Sequence, residues 1–265
     1  MEEKILQIDK LRIGGFLKSL GLSYCPLDIR DIAGRQFCVP LTKPYNYAST
    51  KEYSGSPRRY SINRQLQNAF LGKLKAAGLF ESGQWLDVGG DPAYGDWLQV
   101  PRERYRILNL QKQDEATIAA DIQNSGTIDF SNAFDGSISL NCLYMLERPE
   151  MSLKNMMRLL KPGGFAVLDF TAHHYWYVSN DGDHWNSFNP FRITRLVAPY
   201  LDDFVIVPLG NLFQAACEHY ARRRIFRPLA SLIRGMGMQL GRLDKDPRTA
   251  MSYMVLGTRR KDISF

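Results

Sequence analysis

Three of the four histidines lie within twelve residues, in a segment that is also rich in aromatic side chains. Histidine titrates near neutral pH, so it can accept the proton that a hydroxyl group loses during group transfer. His184 is the first candidate for such a base because Asp181 and Asp183 are close to it, and His173 and His174 follow. The same side chains could instead cap a helix, pack on an aromatic ring or face solvent. Histidine and aspartate also bind divalent metals, but their spacing here fits no defined site, so no metal is predicted.

A glycine-rich turn between Trp85 and Gly95 could bind a ligand through its backbone. It follows an apolar run that contains Asp87 and ends at Gly89 and Gly90. Glycines let a ligand approach the backbone, and amides at a helix start can donate hydrogen bonds. The turn lacks the Gly-x-Gly-x-x-Gly pattern, and the chain has no P-loop, so dinucleotides and P-loop nucleotides are disfavoured. A plain tight turn after a strand is the alternative.

Short apolar runs alternate with helical stretches from residue 84 onward, and they are the elements that must position these residues. The predicted strands are 84–88, 105–110, 118–121, 136–140, 165–170, 204–207 and 253–257, with a helix over 150–160. This alternation predicts a mostly parallel sheet with helices on both faces. Ligands of such sheets lie outside the carboxyl ends of the strands, where the glycine turn and the histidine segment both fall.

The first 80 residues differ from the rest of the chain. Residues 61–77 predict a helix that begins at the N-cap Ser61 and ends at Gly78. Residues 38–60, rich in proline, tyrosine and serine, predict an ordered loop or flap rather than core structure. The flap could close over the site as a lid, or the whole segment could be an extension packed on the sheet.

Several short motifs occur in an order that is typical of a known family. Leu-Asp-x-Gly at 86–89 is followed by Phe-Asp at 134–135 and by Leu-Lys-Pro-Gly-Gly at 160–164. Over about residues 80–260 the chain thereby resembles the class I S-adenosylmethionine (SAM)-dependent methyltransferases, and among them the type 11 group. The resemblance implies a Rossmann-like α/β domain with a seven-stranded sheet over 81–265, and SAM as cofactor. Residues 1–80, which differ in pattern, are then predicted to be an N-terminal extension of helices and loop.

The resemblance also assigns cofactor contacts, with departures from the family pattern. Asn109 stands where relatives carry an acidic residue for the ribose, and an amide offers one neutral acceptor, so we expect weaker cofactor affinity. Asp91 replaces a usual glycine, and Arg148 replaces a histidine that is therefore excluded as catalytic machinery. The implied cofactor-binding residues are Asp87, Gly89, Gly90, Asn109, Asp121, Ile122 and Asn141.

The histidine segment carries a second, narrower resemblance. Its residues 183–190 are similar to an Asp-Tyr-Trp-Arg-Phe-Thr-Pro stretch of relatives linked to cell-envelope glycan synthesis. This similarity implies that the acceptor is a hydroxyl on a sugar, a glycan or another small molecule, with Trp185 in the acceptor site.

The net charge of +7 predicts an anionic partner without selecting one. Arg58, Arg59 and Tyr60 are candidates to position an anionic or lipid-linked acceptor, because arginine pairs well with carboxylates and phosphates. Residues 212–238 alternate apolar clusters with arginines. Such a stretch can lie on an anionic membrane, although more often it is a packed helix with a solvated face, which we favour.

Composition excludes several classes of protein. With 45% apolar and 23% charged residues, the chain as a whole is neither disordered, collagen-like nor a coiled coil. Its four cysteines form no Cys-x-x-Cys pair, which excludes a zinc ribbon and indicates a reducing compartment. No apolar run resembles a signal peptide or a membrane span, so we expect a cytoplasmic protein. Peripheral contact with a membrane stays open as an alternative.

The sequence therefore predicts a SAM-dependent methyltransferase that O-methylates a sugar or another small-molecule hydroxyl. Two alternatives stay open. A nucleic-acid methyltransferase fits the charge, but no Asn/Asp-Pro-Pro-Tyr/Phe motif follows the strand over 136–140, so this class is disfavoured. A non-catalytic methyltransferase-like binding protein fits the departures at Asp91, Asn109 and Arg148.

Overall fold

A computed structural model describes residues 27–30, 36–45, 61–90, 92–172, 186–263 and 265. Its strands are β1 (Leu27–Arg30), β2 (Gln36–Val39), β3 (Trp85–Val88), β4 (Tyr105–Asn109), β5 (Thr117–Ala119), β6 (Phe134–Ser139), β7 (Leu160–Thr171), β8 (Leu201–Leu209) and β9 (Ser252–Arg259). Its helices are α1 (Ile62–Ala76), α2 (Pro92–Leu98), α3 (Pro149–Leu159), α4 (Pro190–Val197), α5 (Leu212–Arg222) and α6 (Ala230–Gly241). The hairpin of β1 and β2 forms a small sheet of its own.

The main sheet has seven strands in the order β5-β4-β3-β6-β7-β9-β8. β3 to β7 run parallel, and β9 is antiparallel to both of its neighbours, β7 and β8. The chain winds outward from β3 in one direction and from β6 in the other, so the topological switch point lies between β3 and β6. The predicted Rossmann-like, seven-stranded, mostly parallel sheet is confirmed.

Helices cover both faces of this sheet. Successive strand residues point to opposite faces, so Trp85 packs with the apolar side of α1 while Leu86 packs with that of α3. β9 alternates in the same way, with Met254 on the α1 side and Val255 on the α3 side. The near-continuous apolar runs of the sequence reflect burial on both faces.

Two of the family motifs meet at the amino end of the sheet, away from the glycine turn. Asp135 of the Phe-Asp motif binds the Lys161 ammonium of Leu-Lys-Pro-Gly-Gly at 2.8 Å and accepts the backbone N–H of Gln84 at 2.8 Å. Burial acts to raise the pKa of Asp135, but these two bonds outweigh it and the pKa is lowered. The contact ties β3, β6 and β7 together, so these motif residues stabilise the sheet rather than the site.

The helix predicted over 61–77 is confirmed as α1. Ser61 caps it by accepting the Arg64 N–H at 3.2 Å, and Gly78 follows its end at a φ of +83°, which glycine adopts freely. Helix α1 packs on the sheet, with Phe70 and Leu74 fully buried. The division at residue 80 stays a prediction.

The prediction of a loop or flap over 38–60 is wrong for its first part. Residues 36–39 form β2, and Leu41 and Tyr45 then bridge to Ile206 and Leu209 of β8. Tyr45 is buried against the Phe70 ring at 5.5 Å, so it belongs to the core and not to a lid. Residues 46–60 lie outside the described residues. No helix among the described segments is long and apolar enough to cross a bilayer.

Candidate active site

A cavity of about 190 Å³ opens at the carboxyl ends of β3, β4 and β6, beside the switch point of the sheet. Five of the seven predicted cofactor residues line it: Gly89, Asn109, Asp121, Ile122 and Asn141. Apolar side chains form the rest of its wall together with Gln123 and Cys142: Val88, Leu108, Leu110, Ala120, Met145 and Leu146. An apolar slot with a few polar groups fits a nucleoside, whose base is flat and whose ribose is polar.

The turn after β3 folds tightly over Asp87. This side chain is buried and accepts a hydrogen bond from the Tyr105 hydroxyl at 2.6 Å. A Cβ on Gly90 would lie 1.9 Å from Asp87 Oδ2, and one on Gly89, whose φ is +73°, would lie 2.8 Å from the Sγ of Cys142. Both positions therefore require glycine. Asp87 and Gly90 support the turn from outside the cavity wall, and Asp91 lies outside the described residues.

Local hydrogen bonds hold the two predicted adenosine contacts in place. Asn109 Oδ1 accepts the backbone N–H of Leu110 at 2.9 Å, and Asp121 Oδ1 accepts that of Gln123 at 2.9 Å. These are turn-type bonds of the kind that asparagine and aspartate form readily. They fix each side chain at the cavity rim, where the resemblance assigns it to the ribose or the adenine.

Asn141 joins the cavity to helix α1, a contact that the sequence did not reveal. Its backbone has a left-handed φ of +51°, which asparagine tolerates better than most residues. Its side-chain amide pairs with that of Gln67 through two bonds, at 3.1 and 3.0 Å. Gln67 is fully buried. In the sequence Gln67 is only a polar residue next to the apolar stripe of a helix, and nothing there indicates its partner.

Asp169, near the carboxyl end of β7, is the second functional candidate that sequence reasoning missed. Its side chain is 1% exposed, and neither carboxylate oxygen accepts a hydrogen bond of ordinary length and angle from the described residues. Burial raises its pKa to about 6, although Gln67, Ser252 and the N–H of Asn141 lie near enough to offset part of the effect. In the sequence Asp169 is one residue of an apolar run that predicts a strand. Its neighbours from α1 and β9 are distant along the chain, so the sequence does not indicate them.

One tyrosine and one cysteine, Tyr144 and Cys142, lie in the same region of the site. Burial, and after it the charge of Asp169, raises the pKa of Tyr144. Burial raises the pKa of Cys142 to about 11, so its thiol stays protonated at neutral pH and is a poor nucleophile. Among the described residues, no group of histidine, cysteine or acidic side chains could hold a metal ion.

The predicted catalytic and acceptor-binding residues His173, His174, His184, Trp185, Arg58, Arg59 and Tyr60 lie outside the described residues. The chain on either side of 173–185 is nevertheless fixed at the site. Phe188 donates its N–H to the Thr171 carbonyl at 3.1 Å, and Asn186 binds the carbonyls of Tyr144 and Leu146 at 3.1 and 2.6 Å. Because Leu146 lines the cavity, this segment leaves and rejoins the described structure beside it.

Comparison with protein families places a known domain over this site. Residues 99–168 match a family described as a methyltransferase domain. The matched segment runs from the end of α2 into β7, and it contains Asn109, Asp121, Ile122 and Asn141 of the cavity wall. Over these residues the chain carries a methyltransferase domain. This confirms the predicted SAM-dependent methyltransferase, with SAM as its cofactor.

Solved structures with a similar fold include other methyltransferases. A SAM-dependent methyltransferase from Thermotoga maritima has 13% identity and a TM-score of 0.49, over 77% of this chain and 92% of that one. One from Archaeoglobus fulgidus has 12% identity and a TM-score of 0.47, over 74% and 96%. The 1,6-didemethyltoxoflavin-N1-methyltransferase of Burkholderia thailandensis, solved with 1,6-didemethyltoxoflavin and S-adenosylhomocysteine, has 14% identity and a TM-score of 0.41, over 80% and 82%. A comparison with curated proteins gave no match.

Proposed function

We propose that this methyltransferase transfers the methyl group of SAM to a hydroxyl oxygen of a sugar, a glycan or another small molecule. The observation that carries the proposal is Asp169, a buried carboxyl with a pKa of about 6 beside the Asn141 wall of the cavity. A hydroxyl loses its proton when its oxygen is methylated. A carboxyl that titrates near neutral pH suits that task, because its ionised form is populated and is still basic enough to take the proton.

The residues of the cavity and of the turn beside it would bind different parts of the cofactor. Asn109 and Asp121 would hold the ribose and the adenine, Ile122 would pack on the base, and Gly89 and Gly90 would let the methionine end approach the turn. When bound there, SAM supplies a methyl group on a positively charged sulfur.

The residues around Asp169 fix the geometry and protect the proton acceptor. Gln67 pairs with Asn141 through both amide groups, so the part of the cavity wall next to Asp169 is held in one arrangement. The burial of Asp169 excludes water that would otherwise compete for its carboxylate. An acceptor hydroxyl that reaches Asp169 would give its proton to that carboxylate.

The histidines stay a second proposal for the same role. His184, with His173 and His174 after it, belongs to a segment whose two ends are bonded beside the cavity. Trp185, Arg58, Arg59 and Tyr60 stay proposed as acceptor contacts. Asp169→Asn and His184→Ala separate the two assignments, since only loss of the true proton acceptor removes turnover while leaving SAM binding intact.

The test is release of S-adenosylhomocysteine from SAM in the presence of a panel of sugars, glycans and lipid-linked sugars. We expect turnover with a hydroxyl acceptor, and a loss of about a hundredfold or more in Asp169→Asn, as is typical for removal of a general base. Asp129→Asn, an exposed residue away from the cavity, is the matched control and should behave like the unmodified protein. Turnover only with RNA or DNA would instead favour the nucleic-acid alternative, and unchanged turnover in Asp169→Asn would remove its assigned role.

We also propose that the acceptor is anionic or lipid-linked and that the enzyme is cytoplasmic. The net charge of +7 supports an anionic acceptor. Four cysteines without a Cys-x-x-Cys pair support a reducing compartment.

A further inference from the structure

The surface that follows β8 is unusually apolar. The described residues expose fourteen large apolar side chains, and ten of these lie between residues 212 and 243. They are Leu212, Phe213, Tyr220, Ile225, Phe226, Leu229, Leu232, Met236, Leu240 and Leu243. We refer to residues 212–245 as the apolar-basic face. Concentrated exposure of this kind marks a binding surface, since single scattered apolar residues are the norm elsewhere.

In helix α6, the described part of the chain does not use these side chains for packing. Its inner side, with Gly237 and Gly241, packs closely on α1 and α5, where a Cβ on Gly237 would lie 2.7 Å from Ile62. Five other apolar residues recur at intervals of three or four along and beside the helix, so they share one side of it: Leu229, Leu232, Met236, Leu240 and Leu243. Leu232 and Leu243 are 62% and 72% exposed. The helix therefore has a second apolar stripe that faces solvent.

Positive charge surrounds this stripe. Residues 222–245 hold six arginines and one lysine against one aspartate, a formal charge of +6. Arg222 and Arg234 are bonded to the buried Glu218 at 2.8 and 2.9 Å, while Arg223, Arg224 and Arg227 are exposed.

This combination selects one kind of occupant. A second copy of the chain would bring two strongly positive faces together, and a nucleic acid would leave the exposed leucines without a role. An anionic bilayer accommodates both the positive charge and the apolar stripe, because its head groups attract arginines and its interface accepts apolar side chains.

The apolar-basic face adjoins the edge of the sheet that carries the cavity. Leu212 and Phe213 begin α5 directly after the carboxyl end of β8. Glu218 accepts the N–H of Ile62 at 3.0 Å, at the start of the helix whose Gln67 holds Asn141. We propose that this face docks the protein on an anionic lipid bilayer, with the cavity edge close to the lipid surface. The proposal does not depend on methyl transfer, but it suits an acceptor that is carried by a lipid.

The test is sedimentation of the full chain with vesicles of phosphatidylcholine alone or of phosphatidylcholine and phosphatidylglycerol in equimolar amounts. We expect binding to the anionic vesicles that weakens as salt is raised. Leu232→Asp should reduce partition by about tenfold or more, since an inserted leucine is lost. Arg224→Gln and Arg227→Gln should each reduce it by about fivefold. Met151→Asp and Lys154→Gln, both on exposed positions of α3, are the matched controls and should bind normally.

Three results would overturn the proposal. The first is no difference between the two kinds of vesicle. The second is a dimer in light scattering that Leu232→Asp dissociates, which would assign the face to a second copy. The third is salt-sensitive binding to RNA that Leu232→Asp leaves unchanged. If Leu232→Asp lowers the melting temperature, the two arginine variants decide the question. Asp169→Asn should bind vesicles normally, so failure of the proposed chemistry and failure of docking are distinguishable.

Discussion

Replacing Asp169 by asparagine should make the protein more stable and less active at the same time. Burial raises the pKa of Asp169 from 3.8 to about 6. Each pKa unit corresponds to about 1.4 kcal/mol, so keeping this group ionised in the folded state costs about 3 kcal/mol above pH 6. Asparagine has nearly the same shape and carries no charge, so it removes that cost.

The stabilisation by Asp169→Asn should depend on pH, because the carboxyl ionises at different pH values in the folded and unfolded states. Below about pH 3 the carboxyl is protonated in both states, and the substitution changes stability only through local contacts. Between about pH 3 and 6 the unfolded state ionises first, so the native protein loses stability relative to Asp169→Asn as pH rises. The difference in unfolding free energy between the two proteins should therefore grow by about 3 kcal/mol from pH 3 to pH 7 and then level off.

Urea unfolding at a series of pH values measures this difference directly. Asp129→Asn serves as the control, because an exposed carboxyl contributes little and its stability difference should stay flat. If the difference for Asp169→Asn were also independent of pH, Asp169 would not be the buried, destabilised carboxyl described above. Such a result would also remove the physical basis for its role as proton acceptor.

Two further substitutions test the turn and the ion pair beneath the apolar-basic face. Gly89→Ala should weaken SAM binding in calorimetry by about tenfold, because alanine is strained by about 1–2 kcal/mol at a φ of +73°. Gly235→Ala is the control, since a Cβ there would meet open space. Equal affinities of the two variants for SAM would contradict the turn geometry. Glu218→Gln should cost about 3 kcal/mol in urea unfolding at pH 7, because it leaves Arg222 and Arg234 without their charged partner. Burial acts to raise the pKa of Glu218, but its bonds to the two arginines outweigh burial and lower the pKa below 4.5. The loss of unfolding free energy in Glu218→Gln should therefore shrink as pH falls below 4.5. A loss that is independent of pH would refute the ion pair.

The sheet could be predicted because its strands are marked by continuous apolar runs. The runs around Trp85, Ile138 and Val255 are buried on both faces, and that burial is what made them visible. The cavity wall was predictable for a related reason. Gly89, Asn109, Asp121 and Asn141 each follow or end a strand, and parallel strands bring their carboxyl ends to one edge.

Residues whose role depends on distant partners could not be predicted. Gln67 meets Asn141 across 74 residues of sequence, and the neighbours of Asp169 come from α1 and β9. No local pattern records such contacts. The stretch over 212–238 shows the same limit: the sequence favoured a packed helix with a solvated face, and α6 does pack on one side, but its solvent-facing side is apolar. Periodicity reveals an apolar stripe, but it does not say what covers it.

Calorimetric titration with SAM tests the central claim most directly, namely that the cavity beside the switch point of the sheet is the cofactor site. We predict binding at one site per chain, weakened by Asp121→Ala, which alters the cavity wall, and unaffected by Asp129→Ala, which does not. Absence of binding at high micromolar SAM, or equal affinity in both variants, would contradict the account.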